Sequence, residues 1–163
     1  MDNNTISKIV ADVVAQVKDD KALESITLSQ AKRLAKKIEE KAKEMGVKAV
    51  VAISNKAARP VLIECMDDSY IASYDVALNK AYTVVALKMS TAKLKGIAQP
   101  GQPLYGIQFT NGGKIVVFGG GDPLIYNDKI IGGLGVSGGS EEEDTELSAY
   151  GASILPDIMK GEI

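Results

Sequence analysis

The stretch KIVVFGGGDPLIYNDKIIGGLGVSGGSEEED, residues 114–144, decides the fold. Lys114 to Phe118 is a short, β-branched apolar run and reads as a strand, which Gly119-Gly120-Gly121-Asp122-Pro123 breaks. Leu124 to Tyr126 and Lys129 to Val136 flank Asn127-Asp128 and read as a hairpin. Ser140 and Glu143 then form the capping-box pattern of a last helix, which Pro156 threatens beyond about Ile154.

Working backwards, Asn111-Gly112-Gly113 is a turn, Tyr105 to Phe109 a short strand or loop, and Gln99 to Pro103 a turn-rich loop. A helical turn is expected near Thr91 to Lys95. A long helix over Ser69 to Lys88, capped by Asp67 or Asp68, precedes it. Val47 to Ser54 and Pro60 to Met66 read as two strands joined by Asn55 to Arg59. Leu28, Ala31, Leu34, Ala35, Ile38 and Ala42 lie on one face of a helix that Thr27 and Gln30 cap and Gly46 stops. Ile6, Ile9, Val10, Val13, Val14 and Val17 make an apolar stripe on a first short helix, which either packs on its own domain or docks on another protein, followed by a polar linker or turn over Lys18 to Ser25. The order α, α, β, β, α, β, β, β, α contains two hairpins and few helical crossovers. That favours an α+β layer with an antiparallel sheet over a parallel doubly wound one.

The chain has 163 residues, a formal net charge of −2 and no histidine. That length suits one domain, here 26–163, with 1–25 as an appended amphipathic helix and linker. Net charge gives no electrostatic footprint for nucleic acid or an anionic membrane, and the Lys32–Lys43 run is interleaved with Glu39 and Glu40, as on a solvated helix face. Asp2, Asn3 and Asn4 stand where a secretory signal places basic residues, and no apolar stretch is long enough to span a bilayer. With one cysteine as well, the cytoplasm is the expected compartment.

Lacking histidine, the chain cannot build a Ser-His-Asp or Cys-His nucleophile, an imidazole zinc site, or a His-ligated haem. No catalytic constellation and no metal cluster stand out. Gly133-Leu134-Gly135-Val136-Ser137-Gly138 spells GxGxxG, but Glu141 to Asp144 would repel a pyrophosphate there, so close packing at a strand end is the better reading. Gly119, Gly120 and Gly121 allow either a bulge or exposed amides that approach a ligand. Cys65 reads as a small hydrophobe rather than a nucleophile, since neighbouring acids raise a thiol's pKa. Lys80 lies in an apolar helical run; it snorkels, pairs with an acid such as Asp75 or Asp67, or serves a ligand.

Several long motifs then bring a family into view: MDD at Met66–Asp68, DVALNKAYTVVALKM at Asp75–Met89, QPGQPLYGI at Gln99–Ile107, IVVFGGGDPL at Ile115–Leu124 and IGGLGVSGGSEEED at Ile131–Asp144. Together they resemble the GlcG/HbpS-like family, in its PduO-type C-terminal-domain branch, over all but residues 1–25. The resemblance implies a profilin-like fold with a five-stranded antiparallel sheet between helices, and homo-oligomers from dimer to octamer. It also implies a non-catalytic accessory role, binding a haem-like or corrinoid-like cofactor in a propanediol-type microcompartment pathway. The alternatives are a ligand-free scaffold or shell-interacting protein, and an enzyme using Lys80 or a tyrosine with Asp68 as acid and base. The adenosyltransferase domain of PduO proteins has no counterpart here. Family members tend to carry a basic residue where this chain has Cys65, and PduO-type domains a histidine where it has Ala92. The expected contact region for a haem or cobalamin combines Met66, Asp68, Tyr74, Lys80, Gly119, Gly120 and Gly121. Residues 1–20 are similar to the short targeting helices of microcompartment cargo, with a shell protein as the implied partner.

Overall fold

A computed structural model describes residues 2–22 and 25–161. Five α-helices and four strands follow in order: α1 (Asn3–Ala22), α2 (Leu28–Met45), β1 (Val50–Asn55), β2 (Pro60–Cys65), α3 (Ser73–Leu87), α4 (Thr91–Ile97), β3 (Gly121–Tyr126), β4 (Lys129–Ser137) and α5 (Glu141–Lys160). The sheet is antiparallel throughout, in the order β2-β1-β4-β3.

Alternation along the central strands divides the molecule into three layers. Val51, Ile53, Leu134 and Val136 point to one face and join Leu34, Ile38, Leu147, Leu155 and Ile158 of α2 and α5 in the main core. Val50 and Ala52 point to the other face and meet Ala77 and Ala81 of α3. There the GxGxxG segment does its structural work. A Cβ on Gly135 would lie 2.7 Å from the Ala81 nitrogen, and one on Gly133 would lie 2.8 Å from Val84 and Val85 side-chain carbons. Bare backbone at these two positions lets α3 rest directly on β4.

The helix boundaries expected from capping patterns hold for α2 and α5, where Thr27/Gln30 and Ser140/Glu143 both form closed capping boxes. The hairpin turn also holds, with Asn127 and Asp128 at φ 48° and 60° as a two-residue turn of matching twist requires. Pro123 is accommodated because β3 is an edge strand.

Other expectations are corrected. The sheet has four strands, not five, because Lys114–Phe118 does not pair. Its apolar character is real, since Ile115 and Val116 are buried. Its backbone is satisfied by a side chain instead: the Thr83 hydroxyl accepts the Val116 amide at 3.0 Å and lies 3.2 Å from the Lys114 carbonyl. The break expected over Gly119 to Pro123 ends at Gly120, because Gly121, Asp122 and Pro123 already belong to β3. Tyr105–Phe109 is a series of turns around a short 3-10 segment, Ile107–Phe109. Helix α3 begins at Ser73, with Ala72 as an N-cap that makes no side-chain hydrogen bond, so neither Asp67 nor Asp68 caps it. Ser90, not foreseen, caps α4 by accepting from the Lys93 amide. Helix α5 continues through Pro156 to Lys160. The first helix runs on to Ala22 through half of the expected linker, whose Leu23 and Glu24 lie outside the described residues. Ile6, Ile9, Val10 and Val13 are each about half exposed on α1; the side chains of Val14 and Val17 lie outside the described residues. Among the described residues, no helix is long and apolar enough to cross a membrane.

Candidate functional site

Lys80 is the largest wholly buried side chain among the described residues, with no exposed surface. It springs from α3 and meets α5 at the end of the sheet. Its Nζ lies 2.8 Å from Asp144 Oδ2 and 2.7 Å from the Val136 carbonyl, which lies just past the last β3–β4 pair. The Phe118 ring covers the same ammonium, its centroid 4.9 Å away. The ammonium thus has two hydrogen-bond acceptors and an aromatic ring beside it. The expected partners, Asp75 and Asp67, are not used: Asp144, one helical layer away, takes the charge. Burial pushes Lys80 below the usual lysine range and Asp144 above the usual carboxylate range; their mutual attraction opposes both shifts.

The three adjacent glycines are built around this pair. Gly120 has φ 102°, and a Cβ there would sit 2.5 Å from Lys80 Nζ and 2.7 Å from Asp144 Cβ. Gly119 gives its amide to Glu141 Oε1 at 2.8 Å, and Gly121 gives its own to the Thr91 hydroxyl at 2.9 Å. Two of the three amides are therefore spent within the chain. Glu141, held also by Lys95 at 2.7 Å, stays below the ordinary carboxylate range because of that lysine and the Gly119 amide.

The accessible chemistry lies elsewhere. Two adjoining clefts of about 520 Å³ each share Gly46, Val47, Lys48 and Asp68, forming one trough where α2 runs into β1. One arm reaches Tyr70, Gly139, Ser140 and Glu143 at the start of α5. The other reaches Glu39, Lys43, Cys65 and Met66. Lys48 Nζ and Asp68 Oδ2, 3.0 Å apart and both exposed, stand between the arms. The Met66 thioether accepts the Ala49 amide at 3.3 Å, while the Cys65 thiol, at the end of edge strand β2, is exposed rather than buried. Burial, and then the neighbouring carboxylate of Glu64, raise Glu39 above its ordinary range.

The residues singled out in the sequence thus fall into three places. Met66 and Asp68 line the trough. Lys80, Gly120 and Gly121 form the buried cluster, with Gly119 beside it. Tyr74 sits partly exposed in the first turn of α3. Asp68 is paired with Lys48, so the structure does not bring it to Lys80 as an acid–base partner. Asp144 links cluster and trough: its Oδ1 accepts the amide of Gly139, a trough residue, at 3.0 Å. Sequence reasoning missed Asp144 because four acids in a row read as a dipole complement. The signal was its spacing, since Asp144, Leu147, Ser148, Gly151, Leu155 and Ile158 form the buried face of α5. Lys48 carried no comparable signal.

These features define a class: a three-layer α+β domain with a helix-covered antiparallel sheet, a closed interior ion pair and an open polar trough at one end. Residues 26–153 match the family described as haem degrading protein HbpS-like, and the chain belongs to that family, with PduO-type relatives. A 15.0 kDa protein from the dhaT-dhaS intergenic region of Citrobacter freundii is 44% identical over 124 residues, 76% of this chain and 87% of that protein. The corrinoid adenosyltransferase PduO of the same organism is 33% identical over 149 residues, 90% of this chain but 44% of the enzyme. The chain therefore spans less than half of that enzyme. Among solved structures, protein ORFY of Klebsiella pneumoniae superposes with TM-score 0.80 at 39% identity, covering 82% of this chain and 92% of that one. A PduOC:heme complex superposes with TM-score 0.76 at 34% identity, covering 79% and 94%.

The Lys80–Asp144 pair is expected to behave as structure. Lys80→Ala, which strands a buried carboxylate, should cost about 3–5 kcal/mol in urea unfolding, whereas the double change Lys80→Met/Asp144→Leu should restore most of that stability. A double variant as unstable as the single would contradict this role.

Proposed function

We propose that the protein is a homo-oligomeric accessory module that binds a haem-like or corrinoid-like cofactor, with no reaction of its own. The trough around Lys48 and Asp68 is the observation that carries this reading. It places a thiol and a thioether, Cys65 and Met66, beside the ammonium groups of Lys43 and Lys48 in an open cleft. With no histidine in the chain, iron ligation needs another donor, and thiolate is an established type of haem ligand that Cys65 can supply. The exposed Cys65 is the freer of the two, since the Met66 sulfur already accepts an amide. The lysines suit the carboxylate arms of a haem, and a bound haem would supply a redox-active iron. The haem-bound PduOC structure and the adenosyltransferase relatives support a ligand of this class. The buried cluster of Lys80 and the three glycines does not contact this ligand; it holds the trough wall through Asp144 and Gly139.

Exposed apolar side chains at Tyr70, Ile71, Tyr105 and Phe109 support assembly, since large apolar groups this exposed are often covered by a partner. The exposed stripe of α1 supports a second role for residues 1–20, as a helix that docks on a microcompartment shell protein and places the domain inside that compartment.

Haem and cobalamin titrations followed by absorbance, with size exclusion alongside, test the first reading. A saturable Soret shift from an oligomer is expected, lost or moved in Cys65→Ser and weakened in Met66→Ala. A colourless oligomer with no shift toward either cofactor would instead favour the ligand-free scaffold. For the second role, residues 1–20 fused to a fluorescent protein should concentrate in shells, and diffuse fluorescence would sink the idea.

A further inference from the structure

The opposite end of the β1–β2 hairpin carries a second pocket of different character. It has a volume of about 380 Å³ and lies between the turn at the start of β2 and the outer face of α3. Arg59 and Lys114 supply its charge, Asn79 and Tyr82 its neutral polar groups, and Pro60 and Leu78 an apolar wall. None of its lining residues is acidic, and neither cation is in an ion pair among the described residues. The trough differs in this respect, because there Lys48 is already matched by Asp68.

Both cations are delivered by turns that are fixed in advance. Asn55 Oδ1 accepts the amides of Ala57 and Arg59 at 2.9 and 3.0 Å, and the Asn55 amide donates to the Arg59 carbonyl at 2.8 Å. The same turn holds Ala58 at φ 56°, a left-handed conformation that costs a residue with a Cβ and persists only where its surroundings impose it. On the other side, Asn111, Gly112 and Gly113 all have positive φ. The Asn111 amide group donates to the Tyr82 hydroxyl at 3.1 Å. Lys114 follows at once, its carbonyl beside the Thr83 hydroxyl and its ammonium 5.7 Å from the Tyr82 ring centroid. Two rigid turns from separate parts of the chain thus aim unmatched positive charge into one small cavity with an apolar side.

We propose that this pocket binds a small organic anion, a carboxylate or phosphate ester with a short apolar body, held by Arg59 and Lys114. A planar guanidinium suits bidentate capture of either oxyanion, and Lys114 adds a point charge. The volume is near the lower end of ligand pockets, about 300–1,000 Å³, which suits a small metabolite better than a macrocycle. Strand β2 separates this pocket from the trough by about 17 Å, six residues at ordinary strand rise. The two sites therefore take different ligands.

Calorimetric and NMR titrations of the full chain with inorganic phosphate and with butyrate test the assignment at low salt. Saturable binding of at least one probe is expected, with amide shifts at residues 57–59 and 111–114. Response to phosphate alone marks a phosphate ester as the natural ligand class, and response to butyrate alone marks a carboxylate. Arg59→Gln and Lys114→Gln should each weaken binding about tenfold, and the double variant should abolish it. Both side chains are exposed, so the variants should keep the parent circular dichroism and melting temperature, and they should leave the haem titration unchanged. Absence of saturable binding by either probe, or binding that survives in the double variant, overturns the proposal whether or not the trough binds haem.

Discussion

The contact between the Lys80 ammonium and the Asp144 carboxylate fixes the relation of the three layers. A lysine brought fully out of water loses several kcal/mol of hydration, and only near-complete replacement of its water partners makes that tolerable. Here Asp144, the Val136 carbonyl and the Phe118 ring provide the replacement. Each comes from a different element, so the chain must bring α3, the end of β4, the loop before β3 and the first turn of α5 to one point. Gly120 is required there because no side chain fits between the charges. Gly135 is required because α3 must lie close enough to the sheet for Lys80 to reach. The glycine-rich sequence that spells a nucleotide-binding motif is thus explained by packing.

That arrangement also sorts the chemistry of the molecule. The Lys80–Asp144 pair is closed and matched, and two of the three glycine amides beside it are spent within the chain, so the open clefts lie at the ends of the sheet. At the trough, sulfur donors and lysines stand among acids; at the far end of the hairpin, two cations stand without acids. Relatives of this chain include a haem-bound domain, and on the proposed reading Cys65 and Met66 would take the place that histidine cannot fill here. The trough and the buried Lys80–Asp144 pair are joined by the Gly139 amide on Asp144, so the rigidity of one wall depends on that pair.

Where the sequence carried a local chemical rule, the structure follows it. The capping boxes at Thr27 and Ser140, the stop at Gly46 and the Asn127-Asp128 turn each depend on residues a few positions apart. The α+β class and the family follow from the motifs of residues 66–144. What was not legible depends on distant partners. Lys114–Phe118 has every local mark of a strand, yet the Thr83 hydroxyl, 33 residues before Val116, takes the amide that a neighbouring strand would have used. Lys80 chose an acid 64 residues away over two nearer in sequence. Pro156 sits in a helix held by its buried face, and packing there outweighs a local penalty. The candidate site divided for the same reason: residues near one another in motif order lie on different layers.

The central claim is that the buried lysine is structural and the ligand chemistry lies outside it. Nitrogen-15 NMR of the Lys80 ammonium tests this directly, recorded on the protein alone and then saturated with zinc protoporphyrin, a diamagnetic stand-in for haem. The account predicts a slowly exchanging, charged ammonium whose resonance is unmoved by the macrocycle, while the amides of residues 65–68 shift. A Lys80 signal that moves or vanishes as the macrocycle binds would contradict it and return the lysine to the ligand site.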